Sequence, residues 1–316
     1  MISSFRVEDH RFIEATGVEP SALDETVWVD MLAPSHAERA AVIERFGVVL
    51  PEHADAGEIE ATSRYVEDED AIQVQLNFLE HTVRPMRNTN VAFAWRKGPL
   101  LSLHEHELVA ARMFRSRAEH RPELAENGMS VFLGILESKV DHLADVLEST
   151  YGTMEQLSRR VLDRAEADLQ SDLVALAEVE DQNGKIRLNL MDTQRVLTSL
   201  LRSDKLDTDG RDQHRLSDVL RDVESLLSHT AFLLEEISFL SDTIIGLINI
   251  EQNQIAKVLS IVAVVFLPPT LVASLYGMNF RHMPELSWVA GYPLALLLMV
   301  VLGAVPYLLA KRRGWL

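Results

Sequence analysis

The sequence contains no cysteine. That excludes disulfides and thiolate metal sites and is neutral about compartment. Positive charge is scarce: 30 Lys and Arg stand against 48 Asp and Glu, a formal net charge of −18. A surface of that sign repels nucleic acid and anionic lipid and attracts cations, although acidity also simply aids solubility. No glycine-rich phosphate loop follows a strand-like segment, and no nucleophile–base pair presents itself, so neither a nucleotide site nor an enzyme is expected. The opening residues, MISSFRVEDHRF, hold no apolar run and do not read as a signal peptide. Uncharged runs long enough to cross a bilayer occur in only two places, both near the C-terminus.

Those runs are VLSIVAVVFLPPTLVASL (258–275) and PLALLLMVVLGAVPYLLA (293–310). Each approaches the ~20 residues that span a hydrocarbon core. The expectation is two membrane helices, at about 255–275 and 292–310, joined by a short loop, 276–291. Five of the 30 bases and two of the 48 acids lie at or after Glu251, which leaves 25 and 46 before it, a net of −21. The last six residues, KRRGWL, place three bases directly after a span, which reads as cytoplasmic. The loop carries one Arg and one Glu and offers no competing bias, so two crossings put both termini on the cytoplasmic side. Trp288, Tyr292 and Trp315 stand where interfacial aromatics belong.

Upstream, residues 1–125 read as a mixed α/β domain. TVWVDML (26–32) has strand character, and SHAERAAVIERFG after Pro34 has a helix start at Ser35 and a stop at Gly47. RYVEDEDAIQVQLNFL (64–79) and VAFAWRKGPLLSLHE (91–105) read as hairpins, turning at 67–70 and at Lys97-Gly98-Pro99. His104 and His106 would share a strand face at ligand spacing, but the run lacks the helical spacing of a hydrolytic zinc site, and a polar strand end is the favoured reading. Residues 126–254 read as helical, with a heavily charged helical pattern from 130 to about 202 whose second helix covers about 172–202. From 211 to 267 there is no proline and one glycine, Gly246. Leu216, Val219, Val223, Leu226, Thr230, Leu233, Ile237, Leu240, Ile244 and Leu247 form a near-heptad stripe. As one helix this stretch would be roughly 85 Å long, and Pro268-Pro269 would interrupt its hydrogen bonding inside the first span.

A second stripe continues into that span: Asn249, Asn253, Ala256, Leu259 or Ser260, Ala263, Leu267, Thr270, Ser274 and Gly277 recur at three and four residues. Small or polar at both ends and apolar between, this face suits a water-exposed lining with a hydrophobic constriction. It suits close helix packing as well, and the spacing alone favours packing. Two helices cannot enclose an ion path, so a pore requires several copies around an axis. The second span has no polar side chain except Tyr307 and reads as the lipid-facing helix.

Tyr276-Gly277-Met278-Asn279-Phe280, followed by MPEL (283–286), resembles the signature of the CorA family of magnesium and cobalt transporters, and the match runs through the second span to KRRGWL. EIEATSR, LMDTQR, RDVESLL and NIEQNQ are similar to its proteobacterial branch. The resemblance implies an α/β sandwich with long helices, followed by two C-terminal transmembrane helices, in a funnel-shaped homopentamer of the bacterial inner membrane. It implies transport of hydrated divalent cations, Mg2+ with Co2+ and Ni2+, with Mg2+ also regulatory and no organic cofactor. Carried over by position, Gly277, Met278 and Asn279 form the selectivity filter, and Asn253, Leu259, Leu267 and Thr270 line the pore. Ion ligands are then Asn279 and Gly277 at the filter, Asp242 at the cytoplasmic mouth, and Asp218 with Glu58 of a neighbouring copy at a regulatory site. The alternatives are the zinc-transporting branch of the superfamily, against which MPEL argues, and a membrane-anchored sensory scaffold.

Overall fold

The computed structural model describes residues 1–17, 23–48, 64–67, 71–80, 85–96, 98–163, 168–203, 210–278 and 283–313. Contacts divide it into two units, Met1–Leu240 and Ser241–Leu316.

The first unit is built on a seven-stranded sheet: β1 (Ile2–Glu8), β2 (Arg11–Thr16), β3 (Trp28–Leu32), β4 (Tyr65–Glu67), β5 (Ala71–Glu80), β6 (Arg87–Arg96) and β7 (Leu100–His104). Their spatial order is β2-β1-β3-β7-β6-β5-β4. All neighbours are antiparallel except the central pair, β3 and β7, which run parallel with Trp28 opposite Leu100. Both hairpins expected from the sequence are present, as β4–β5 and β6–β7. The sheet's first two strands were not anticipated.

Period-two alternation gives the sheet two buried faces. Val29, Met31, Ala92, Ala94 and Leu101 point toward helix α1 (His36–Phe46), where Val42 and Phe46 complete an apolar core. Ser35 starts α1 with a capping box: its Oγ accepts from Glu38 N, and Glu38 accepts from Ser35 N. Gly47 ends the helix at φ 68°, a left-handed conformation that glycine adopts without a Cβ clash. The opposite face carries the aromatics. Trp28 stacks on Phe5 at 4.5 Å and meets Phe114 edge-on, and Phe132 packs on Phe93 and Trp95. Phe114 lies on α2 (Val109–His120) and Phe132 on α3 (Gly128–Leu162). Glycines permit this close approach. A Cβ on Gly128 would stand 2.7 Å from Leu100 N, and one on Gly134 would collide with the Phe114 ring.

Two further long helices follow: α4 (Leu169–Arg202), which runs along β5, and α5 (Gly210–Tyr276). The heptad stripe is the packed face of α5. Leu216, Val219, Val223, Thr230, Leu233, Ile237 and Leu240 are buried, and Leu226 is half-buried. Polar contacts fix the register of that face. Asn183 Nδ2 donates to the Thr230 carbonyl at 3.0 Å, Tyr151 Oη to the His229 carbonyl at 2.8 Å, and Arg215 pairs with Glu137 at 2.8 Å. The helix runs through Pro268 and Pro269 to Tyr276, so it takes in the whole of the first expected span.

The second unit comprises the remainder of α5 and α6 (Gly291–Arg312). Both helices are long and apolar enough to cross a membrane. Gly303 of α6 sits close to α5: a Cβ there would be 3.5 Å from Pro269 Cγ and 3.5 Å from the Val265 carbonyl oxygen.

Candidate functional site

Within the second unit, Ile261, Val265, Pro269 and Val272 recur at three and four residues and so share one side of α5. Ile261 and Val272 are buried, and Val265 and Pro269 approach α6 at Gly303. The residues expected to line a pore are not on that side. Asn253 and Thr270 are exposed, and Leu259 and Leu267 are 64% and 66% exposed. A single copy therefore leaves uncovered the face that carries Asn253, Leu259, Leu267 and Thr270. Ser260 and Thr270 turn their hydroxyls onto their own helix, donating to Ala256 O at 2.8 Å and Phe266 O at 2.7 Å.

Gly277 and Met278 follow the C-terminal end of α5. Gly277 N donates to Ala273 O at 3.0 Å and Met278 N to Leu275 O at 3.3 Å, and both residues are exposed. Asn279 lies outside the described residues, as does Glu58. Asp242 is exposed. Asp218, also exposed, accepts from Arg221 at 3.3 Å. Within one chain these carboxylates do not assemble into an ion site: among the described residues no group of three or more His, Asp or Glu is placed to hold a metal.

His104 and His106 do not share a strand face. β7 ends at His104, which is buried, whereas His106 lies beyond it with its ring 3.2 Å from Arg87. His104 Nε2 is 2.8 Å from Asp30 Oδ1 and Nδ1 is 2.7 Å from the His106 carbonyl oxygen. Both ring nitrogens thus face acceptors, an arrangement that the doubly protonated imidazolium satisfies. Burial alone would push its pKa down, but Asp30 and the His106 carbonyl together hold it above the ordinary histidine value. Ser102 also donates to Asp30, at 2.5 Å, and accepts from Trp28 Nε1 at 2.9 Å, while Arg115 lies 3.5 Å from the second carboxylate oxygen. This is a structural network, not a metal site.

A second buried network joins two segments that the sequence offered only as family-like motifs. Arg64, from EIEATSR, pairs with Asp192, from LMDTQR, and Asn77 Nδ2 donates to the same carboxylate at 2.5 Å. Beside it Lys139 is 1% exposed, donates to Thr193 Oγ1 at 2.7 Å and stands 4.7 Å above the Phe78 ring. Burial pushes the Lys139 pKa down to about 7, with Asp192 opposing the fall and Arg64 adding to it. Periodicity could not disclose either network, because the partners are far apart in sequence.

Comparison with known proteins gives one answer. The chain is 42% identical to the "Magnesium transport protein CorA" of Salmonella typhimurium over 318 residues, covering all of both chains, and equally to that of Escherichia coli K12. Its fold matches the complete structure of the CorA magnesium transporter from Methanocaldococcus jannaschii with a TM-score of 0.81, covering 100% of this chain and 99% of that one at 20% identity. The family described as CorA-like Mg2+ transporter protein matches residues 24–312. By full-length identity and by family match, the chain belongs to the CorA-like Mg2+ transporters.

Proposed function

We propose that this chain carries Mg2+, still largely hydrated, through a pore formed by several copies of itself. The observation that carries this reading is the bare face of α5. α6 is packed on the opposite side, so Asn253, Leu259, Leu267 and Thr270 remain free to face an axis. The relatives that match over their whole length are named as magnesium transport proteins, which supports Mg2+ over zinc. Co2+ and Ni2+ are further cargo in this reading. Five copies give the pore, in a bacterial inner membrane, with both termini cytoplasmic.

Mg2+ prefers six oxygens and dehydrates reluctantly. A ring of Asn279 amides with Gly277 carbonyls is uncharged and meets the ion's water shell without stripping it; a ring of carboxylates would bind too tightly to conduct. The C-terminal end of α5 adds to this, because its last carbonyls carry about half a negative charge per helix. Leu259 and Leu267 form the apolar constriction, and Asp242 gathers cations at the cytoplasmic mouth. Asp218 and a neighbouring copy's Glu58 bind Mg2+ between acidic domains and hold the closed state. Loss of that ion frees the domains to separate, and α5 transmits the change to the constriction, a shift of populations by a ligand that prefers one state.

The test is Mg2+ influx into liposomes bearing the purified full chain, with and without Mg2+ on the domain side, alongside Co2+, Ni2+ and Zn2+. Mg2+ entry that falls when Mg2+ is present on the domain side is expected. Liposomes that admit Zn2+ but no Mg2+ would make the chain a zinc transporter, and no cation entry would leave only the scaffold reading.

A further inference from the structure

α3 and α5 run parallel, and two polar contacts between them join residues 78 positions apart, Glu137 with Arg215 and Tyr151 with His229. Neither contact selects that register by itself. Arg211 stands one turn before Arg215 and pairs with Glu126 at 3.7 Å, both side chains more than half exposed. A one-turn slip of α5 would therefore bring Glu137 a second arginine. The Tyr151 hydroxyl would meet another carbonyl of the same helix, since every residue carries one. The Leu, Ile and Val contacts of the packed stripe are non-directional.

One layer does select. Thr230 is the polar member of an otherwise apolar stripe and is fully buried. Asn183 of α4, 1% exposed, donates through Nδ2 to the Thr230 carbonyl at 3.0 Å. A slip of one turn would set Asn183 against Leu226 or Leu233, where a branched apolar side chain takes the place of threonine. The layer is held at a cost. Among the described residues Asn183 Oδ1 is buried with no hydrogen-bond partner, and the Thr230 hydroxyl donates to Leu227 O at 2.8 Å instead. A single asparagine in an apolar helix seam fixes register in this way, at the expense of stability. We propose that Asn183 is a positioning residue for gating: by holding the Thr230 carbonyl it keeps α5 in one of two registers, one turn apart, on α3 and α4. The same helix continues to Leu259 and Leu267. A slip of one turn, about 5.4 Å, is passed along it to the constriction, a ratchet of one element past another. The proposal rests on the transport reading above and adds the residue that sets which register the closed state uses.

The experiment is double electron–electron resonance on the full chain in detergent, with spin labels on cysteines introduced at Glu148 of α3 and Glu224 of α5, both exposed. The chain has no cysteine of its own, and an excess of unlabelled chain confines the signal to one copy. With Mg2+ present the wild type is expected to give one narrow distance, and the near-isosteric Asn183→Leu a second population displaced by the slip. The thermal midpoint of the variant is expected to equal or exceed the wild type, because an apolar side chain replaces a half-satisfied amide; a merely structural contact would lower it. In liposomes, the domain-side Mg2+ concentration that halves influx is expected to rise roughly tenfold. Thr230→Leu, which removes the small polar position from the other side, is expected to act in the same sense. A single unshifted distance in both variants overturns the proposal. So does a lowered midpoint with the distance unchanged, or a second population that leaves inhibition by Mg2+ unaltered. If wild-type liposomes admit no Mg2+, the transport reading falls, and the distances alone decide whether the two registers exist.

Discussion

Arg64 and Asp192 form a partly buried ion pair across 128 positions of sequence, tying the residue before β4 to the middle of α4, with the carboxylate the more deeply buried partner. Removing one partner from such a pair costs about 3–5 kcal/mol, because the other charge stays buried without compensation. Asp192→Ala is therefore expected to destabilise the sheet-bearing unit by about that amount, since it also strips the counter-charge from Lys139. Urea unfolding of the full chain in detergent, followed by Trp28 and Trp95 fluorescence, measures it. An unchanged midpoint would mean that the pair contributes nothing to the fold.

Lys139 supplies a pH signature. Its pKa falls from 10.5 to about 7 on folding. Between those values the unfolded chain binds more protons than the folded one, so stability rises as pH increases through that window. Lys139→Met, close in volume and uncharged, is expected to flatten this rise. Unfolding midpoints across pH 7 to 10, wild type against variant, decide it; parallel curves would place the titration elsewhere.

His104 works in the opposite sense. Its pKa is raised in the fold, so its contribution is complete below the unfolded value of about 6.5 and is lost as pH climbs through the folded value. His104→Gln retains hydrogen bonding but not the charge against Asp30, and is expected to lose stability chiefly in mildly acidic solution. If wild type and variant differ by the same margin at pH 5.5 and pH 8.5, the imidazolium is not what the network holds.

Asn279→Ala is expected to abolish Mg2+ influx while leaving oligomers intact by size-exclusion chromatography. The alanine side chains offer no amide to the ion's water shell, so the filter loses the polar ring that lets the hydrated ion enter. Wild-type flux through this variant refutes the filter assignment.

Asp218→Lys places a cation where the inter-copy Mg2+ would bind and adds a like charge beside Arg221, its partner in the single chain. Influx through the variant is expected to persist when Mg2+ is present on the domain side. Undiminished inhibition would return Asp218 to the role of a solvated helix-face carboxylate.

Local signals were the legible ones. Ser35, Glu38 and Gly47 announce α1 through caps that need no tertiary context, and the stripe from Leu216 to Leu240 announces the packed face of α5. β2 was missed because it is exposed along much of its length, and β1 because its four consecutive buried residues, Ile2, Ser3, Ser4 and Phe5, include two serines and show no alternation. Asp30–His104 and Arg64–Asp192 were missed because charge pairing across a fold has no sequence period. His104 and His106 misled for a related reason: β7 stops between them, so two-residue spacing no longer means a common face. The filter was visible as a motif, whereas a site divided between copies, such as Asp218 with Glu58, has no geometry in one chain.

The parallel pairing of β3 with β7 sets an order for synthesis. The sheet cannot close until His104 has been made, and the first uncharged run begins only at Val258. At roughly 5–20 residues per second, residues 105–257 take roughly 8–30 s to translate. During that interval the helices that cover the sheet, from Val109 through the packed stretch of α5 ending at Leu240, are still being added, so the acidic unit is completed only shortly before the first uncharged run follows it. Recognition of that run by an insertion machinery then falls late in translation or after it.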